Sequence, residues 1–258
     1  MPVIFDNDIG IDDAMALLLL DASSVVNLLG ITTRFGNASI ETTTRNALIV
    51  RDLFNIQAPV FKGAGEPIGL RLGEGFPVHV HGKNGLGDIP LPAPHSQPEA
   101  EPAAQALVDL TRVAGQKVTV IAVGGLTNIA EALRLDPDLP ERIDQVIVMG
   151  GAFGYHQHRG NVSPVAEANI ASDPLAADRV FSSKLKSVIV GAPELFTTIE
   201  QPVRVVTEGI AIGQTIHGND TREYVSSAWN GVRRSTICTD VDGQGVLDLC
   251  LTILRQRS

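Results

Sequence analysis

The chain has 258 residues, 44% apolar and 19% charged, with a formal net charge of −9. That is apolar enough for a sizeable core, and the absence of low-complexity runs argues against disorder. The acidic balance makes nucleic acid and anionic membrane poor partners and favours a neutral or cationic small molecule, or a metal. No basic segment followed by an apolar one is found at the start, so no signal peptide is expected, and no apolar stretch reaches membrane-spanning length. The only cysteines, Cys238 and Cys250, fall on an expected strand and helix and read as packing residues rather than a disulfide or metal pair. A cytoplasmic enzyme is expected.

In chain order, Val3-Ile4-Phe5 reads as a short buried strand. Asp6, Asp8, Asp12 and Asp13 follow, and then an apolar helix begins near Asp12. One Asp at a helix start is an ordinary cap. Four at the carboxyl end of a strand repel one another and call for a positive partner, and a hard divalent cation with oxygen ligands is the simple one. Next come a strand at Asn27–Thr33, a helix over Ser39–Phe54 capped by Ser39, and a strand at Pro59–Lys62. A helix over Glu99–Val113 with Pro102 in its first turn precedes a strand at Val118–Val123 and a helix at Thr127–Leu133. A strand at Gln145–Met149, a helix at Pro174–Phe181 and a strand at Ser187–Val190 complete this part. Strand-helix alternation predicts one α/β domain over residues 1–258, with a mostly parallel, Rossmann-like central sheet flanked by helices.

The loops after the strands carry polar residues: Arg34-Phe35-Gly36-Asn37, Gly124 to Asn128, and a long loop from Gly150 through Asn161 and Glu167 to Asn169 and Asp173. Each Asn or Thr alone reads as a turn former or cap. Leaving one end of a parallel sheet, these loops can converge on the Asp cluster. His79 and His81 sit in a Gly-rich loop that could form a flap. Neither they nor His156 and His158 carry a zinc pattern, and no dinucleotide loop or P-loop is found.

Together these motifs resemble the inosine-uridine-preferring nucleoside hydrolases. The resemblance rests on Asp6-Asn7-Asp8-Ile9-Gly10-Ile11-Asp12-Asp13, on Gly36-Asn37 with Thr43, Thr44 and Asn46, and on His81-Gly82 with Gly85-Leu86-Gly87. It continues through Gly124 to Ile129, Met149-Gly150-Gly151-Ala152-Phe153, and Gly160 to Asn169 with Asp173-Pro174. It runs from residue 3 to about 190 and implies hydrolysis of the N-glycosidic bond of a ribonucleoside with Ca²⁺ in the pocket. Asp8 and Asp13 would be calcium ligands, and Thr127 would add its backbone carbonyl. Asp8 would also be the general base on a calcium-bound water. Asp12, Asn37, Asn161, Glu167 and Asn169 would hold the ribose hydroxyls, with Met149 under the sugar and His81 also against the substrate. A small-molecule nucleoside partner, a role in base salvage and a homodimer or homotetramer are the matching expectations.

The late His-Asp pair expected of this family, one residue on calcium and one beside the leaving base, occurs nowhere in the sequence. Val205 to Gly209 and Gly213 to Thr215 resemble the late strands. Thr236 to Asp242 and Gly245 to Leu254 resemble the last strand and helix. The missing stretch would fall at Gly191-Ala192. A catalytically impaired nucleoside- or ribose-binding homologue is therefore the alternative. A haloacid-dehalogenase-type phosphatase using Asp6 and Asp8 with Mg²⁺ fits less well, because Lys62, Lys83, Lys117, Lys184 and Lys186 are badly placed for phosphate.

Overall fold

In a computed structural model, the structure describes residues 1–69, 75–189, 195–219 and 221–255. A nine-stranded sheet organises the chain, in the order β3-β2-β1-β4-β5-β6-β9-β7-β8. The strands are β1 (Pro2–Asn7), β2 (Asn27–Thr33), β3 (Val60–Lys62), β4 (Val118–Ala122) and β5 (Ile143–Val148), then β6 (Ser187–Ile189), β7 (Phe196–Val205), β8 (Thr215–His217) and β9 (Arg234–Val241). Neighbours pair in parallel from β3 to β9, and β7 pairs antiparallel with both β9 and β8.

Strand β1 is central and buried at every position. Successive side chains point to opposite faces, so Ile4 enters one apolar cluster with Val120 and Val146, while Phe5 enters another with Leu17 and Ile31. Helices cover both. The principal ones are α1 (Ile11–Ala22), α2 (Ile40–Leu53), α4 (Ala103–Val113), α5 (Thr127–Leu135) and α8 (Pro174–Phe181), whereas α9 (Gly243–Arg255) has no buried residue. Ser39 caps α2 as expected, its hydroxyl accepting from Thr42 N–H.

Several boundaries differ from expectation. The helix expected from Glu99 begins at Ala103, because Glu99 instead bridges to Phe61 beside β3 and Pro102 takes the cap. Residues Val206 to Gly209 are not strand but part of the connection between β7, which ends at Val205, and β8, which starts at Thr215. The Gly-rich stretch with His79 and His81 is not all loop: Val78–His81 forms a one-turn helix, α3. Two further short helices, α6 (Leu139–Arg142) and α7 (Ala168–Ser172), were not expected from periodicity. Val190 and the junction at Gly191-Ala192 lie outside the described residues.

Candidate active site

Strands β1, β2, β4 and β5 end side by side. The ladder runs one step past them: Arg34 N–H donates to Asn7 C=O, Val123 N–H to Asp6 C=O, and Met149 N–H to Ala122 C=O. The residues leaving these ends therefore meet in one place. Asp8 follows β1, Asn37 follows β2, Thr127 follows β4 and Met149 follows β5.

Asp8 is the centre of this group, 2% exposed. Asn37 donates its backbone N–H to Asp8 Oδ2 at 3.1 Å and its Nδ2 to Oδ1 at 3.2 Å. The same Nδ2 lies 3.0 Å from Asp13 Oδ2, which also accepts from Gly10 N–H at the start of α1. One amide thus ties the two carboxylates together. Burial pushes the Asp8 carboxyl up to about 7 against the pull of the Arg34 guanidinium. It lifts Asp13 well above the usual range too, with the nearby Asp8 charge adding to it. Gly36 is required by this packing, since a Cβ there would lie 1.7 Å from Asp8 Oδ2.

Asp6 lies beneath. Its Oδ1 accepts from Thr32 Oγ1 at 2.6 Å and from Asn128 Nδ2 at 2.8 Å. Burial pushes this carboxyl up to about 6, against the bonds from Asn128 and Thr32 and the Arg34 charge, which favour its ionised form.

Beside Asp13 and Asn37 opens a cavity of about 550 Å³. Asp12, Asp13, Asn37, His81, Met149, Asn161, Glu167 and Asn169 all line it, with His79 and Val80 at the α3 side. Eight of the ten residues expected to form the site thus share one cavity. The other two, Asp8 and Thr127, are buried. Thr127 starts α5, and its hydroxyl donates to Asp173 and accepts from Arg34.

The far wall is cross-braced. Glu167 caps α7, accepting from Asn169 N–H at 2.9 Å and Ile170 N–H at 3.2 Å, and it also takes Gly151 N–H at 2.9 Å. Burial raises its carboxyl despite these donors. Asn161 Oδ1 accepts from Ala168 N–H, and Asn169 Nδ2 reaches the carbonyls of Val123 and Met149. Asn161, Glu167 and Asn169, three of the side chains expected to hold a sugar, are therefore fixed by the backbone around them. His81 accepts Ile11 N–H at Nδ1, 3.3 Å, with Asp12 Oδ1 3.9 Å away. This fixes it against α1 rather than in a free flap.

The donor set fits a hard cation. Asp8 and Asp13 offer carboxylate oxygens within one amide's reach of each other, and burial disfavours their charge unless a positive partner is present. Among the described residues no group of three or more His, Cys, Asp or Glu side chains is placed to hold a metal. A cation here would draw its remaining ligands from backbone oxygens and solvent.

Two residues central to this architecture were not assigned roles from sequence. Arg34 was one polar loop residue among several, and Asn128 was part of a motif. Arg34 is fully buried and its guanidinium donates to Ser172 and Thr127. A lone Arg after a strand ordinarily reads as solvated, so no local signal marked it.

Comparison with known proteins agrees with this geometry. The sequence profile of the inosine-uridine preferring nucleoside hydrolases matches residues 3–192. The chain belongs to the inosine-uridine preferring nucleoside hydrolase family. Within it, the chain is 32% identical to uridine nucleosidase 1 of Arabidopsis thaliana over 310 aligned positions, covering 95% of this chain and 90% of that protein. It is 40% identical to a non-specific ribonucleoside hydrolase of Klebsiella pneumoniae over 191 positions, covering 74% of this chain and 61% of that one. A solved plant nucleoside hydrolase superposes with a TM-score of 0.90 at 28% identity, over 98% of both chains. The Arabidopsis alignment leaves at least 310 − 258 = 52 positions with no residue of this chain opposite them.

Proposed function

We propose that the protein hydrolyses the N-glycosidic bond of ribonucleosides to free base and ribose, with Ca²⁺ held by Asp8, Asp13 and the Thr127 carbonyl. The observation that carries this reading is one cavity beside the Asp8–Asn37–Asp13 cluster, lined by eight residues that the family resemblance marks for metal or substrate.

Loss of the base leaves positive charge on the ribose, as in other oxocarbenium-like glycoside chemistry. The carboxylates of Asp12, Asp13 and Glu167 on the cavity wall, with Asp8 beneath, stabilise that charge as it forms. Calcium, when bound, supplies polarisation of the attacking water. Asp8 would take the proton of that water as the general base. Asp12, Asn37, Asn161, Glu167 and Asn169 hold the ribose hydroxyls, Met149 lies under the sugar, and His81 sits on the wall beside Asp12.

The fitting partner is a small nucleoside, in keeping with the acidic balance of the chain. A cytoplasmic location and a homodimer or homotetramer complete the proposal. No helix among the described residues is long and apolar enough to cross a membrane.

A second reading has a specific observation in its favour. The chain has no His-Asp pair to assist the leaving base. A binder that keeps the ribose residues but turns over slowly, or not at all, would fit that loss. Calorimetry with Ca²⁺ and ribose, run beside an assay of ribose release from inosine and uridine, separates the two. Release supports the hydrolase. Tight calcium-dependent ribose binding without release supports the binder. Neither, in excess Ca²⁺, contradicts both.

A further inference from the structure

Among the described residues, Arg34 is the only Lys or Arg that is buried, whereas Asp6, Asp8, Asp13 and Asp173 are all buried around the same strand ends. Removing a guanidinium from water costs several kcal/mol unless anions and hydrogen-bond acceptors replace the solvent. Arg34 has both. Its Nη1 donates to Ser172 Oγ at 2.9 Å and its Nη2 to Thr127 Oγ1 at 3.1 Å. Thr127 passes the polarity on, donating to Asp173 Oδ2 at 2.9 Å.

The Gly124-Gly125 pair ties this cation to the site. A Cβ on Gly124 would lie 3.0 Å from Asp8 Oδ1, and one on Gly125 would lie 2.4 Å from Arg34 Nη1. Two consecutive glycines therefore run over the carboxylate and then over the guanidinium. The guanidinium also lies 3.9 Å above the Phe35 ring, which fixes its plane.

We propose that Arg34 is the resident counter-charge of the carboxylate cluster: a positioning residue that keeps Asp8 and the Thr127 end of α5 assembled before any metal arrives. The site is then preformed, and a divalent cation enters a pocket whose like charges are already partly offset. The proposal shares with the proposed function the identification of Asp8 and Thr127 as residues to be held in place.

The test is a set of melting curves in EDTA at pH 8 on the full chain, comparing Arg34→Lys, Arg34→Met and Arg34→Met/Asp8→Asn with the unaltered protein. Arg34→Met strands buried anions, so its midpoint is expected to fall by roughly 10 °C. Arg34→Lys keeps the charge and is expected to recover most of that loss. Adding Asp8→Asn to Arg34→Met removes the stranded anion and is expected to recover at least half. If Arg34→Met does not fold, a soluble, cooperatively melting double variant is the same recovery.

The proposal is overturned if Arg34→Lys melts as low as Arg34→Met, or if Asp8→Asn brings no recovery, an unfolded double variant included. None of these readings involves calcium or turnover. A native protein that neither binds Ca²⁺ nor releases ribose would defeat the proposed function while leaving this cycle to be decided on its own.

Discussion

Asn37 holds both oxygens of Asp8, the backbone N–H on Oδ2 at 3.1 Å and the side-chain amide on Oδ1 at 3.2 Å. The carboxylate cannot rotate without breaking one of these bonds. Outer groups that orient a metal-ligating carboxylate typically matter by about 10- to 100-fold in affinity or activity. Asn37→Ala is therefore expected to lower calcium affinity and kcat/KM by about that much, with the fold intact by circular dichroism. Calorimetry and ribose release measure both. An unchanged calcium Kd would mean that Asn37 does not orient the ligand.

Gly36 leaves no room for a side chain. Its added Cβ would stand 1.7 Å from Asp8 Oδ2, so Gly36→Ala must displace the carboxylate or the loop. Overpacking of this kind costs about 1–3 kcal/mol. The expected result is a lower melting temperature together with weakened Ca²⁺ binding. Native values for both would show that the loop yields freely at this point.

The metal-free protein should lose stability as pH rises. Asp6 is pushed to about 6 and Asp8 to about 7 from an ordinary 3.8, and Asp13 is raised well above it. Between roughly pH 4 and these values the native state holds protons that the unfolded chain has released, so unfolding is favoured as pH climbs through the window. In EDTA the melting temperature is expected to fall from pH 5 to pH 8, and less steeply in Asp8→Asn. Calcium needs the ionised carboxylates, so its stabilisation should grow over the same range. A metal-free midpoint that rises across that range, with Asp8→Asn no different, would contradict the assignment of these groups.

Glu167 is a cap and a wall residue at once, taking three backbone N–H groups while lining the cavity. Glu167→Ala is expected to cost about 1–2 kcal/mol, as for a lost N-cap, and to raise KM for inosine. Glu167→Gln keeps an acceptor oxygen and should recover most of the stability. A Gln variant no more stable than the Ala variant would remove the capping role.

Much of this was legible in the chain. The alternation of strands and helices fixed a parallel sheet, and the residues after β1, β2, β4 and β5 had to share one end of it. Asp8, Asp13, Asn37, Glu167 and Asn169 were visible as polar residues at those ends. What escaped was short or tertiary. The helix at Val78–His81 is one turn, too brief to show a 3.6-residue period. Strand β7 contains Glu200 and Pro202, which break an apolar alternation. The strand survives because it pairs with β9 from Phe196↔Val241 to Pro202↔Arg234, leaving Pro202 at the far end of that ladder. Arg34 looks like any exposed cation until Ser172 and Thr127, remote in sequence, close over it.

The most direct measurement is ribose release from uridine and inosine by the native chain and by Asp8→Ala, each in excess Ca²⁺ and in EDTA. The expected result is release by the native chain in Ca²⁺ alone, with Asp8→Ala inactive and no longer binding the cation. Full activity in Asp8→Ala, or native activity undiminished by EDTA, would contradict an Asp8-centred calcium site.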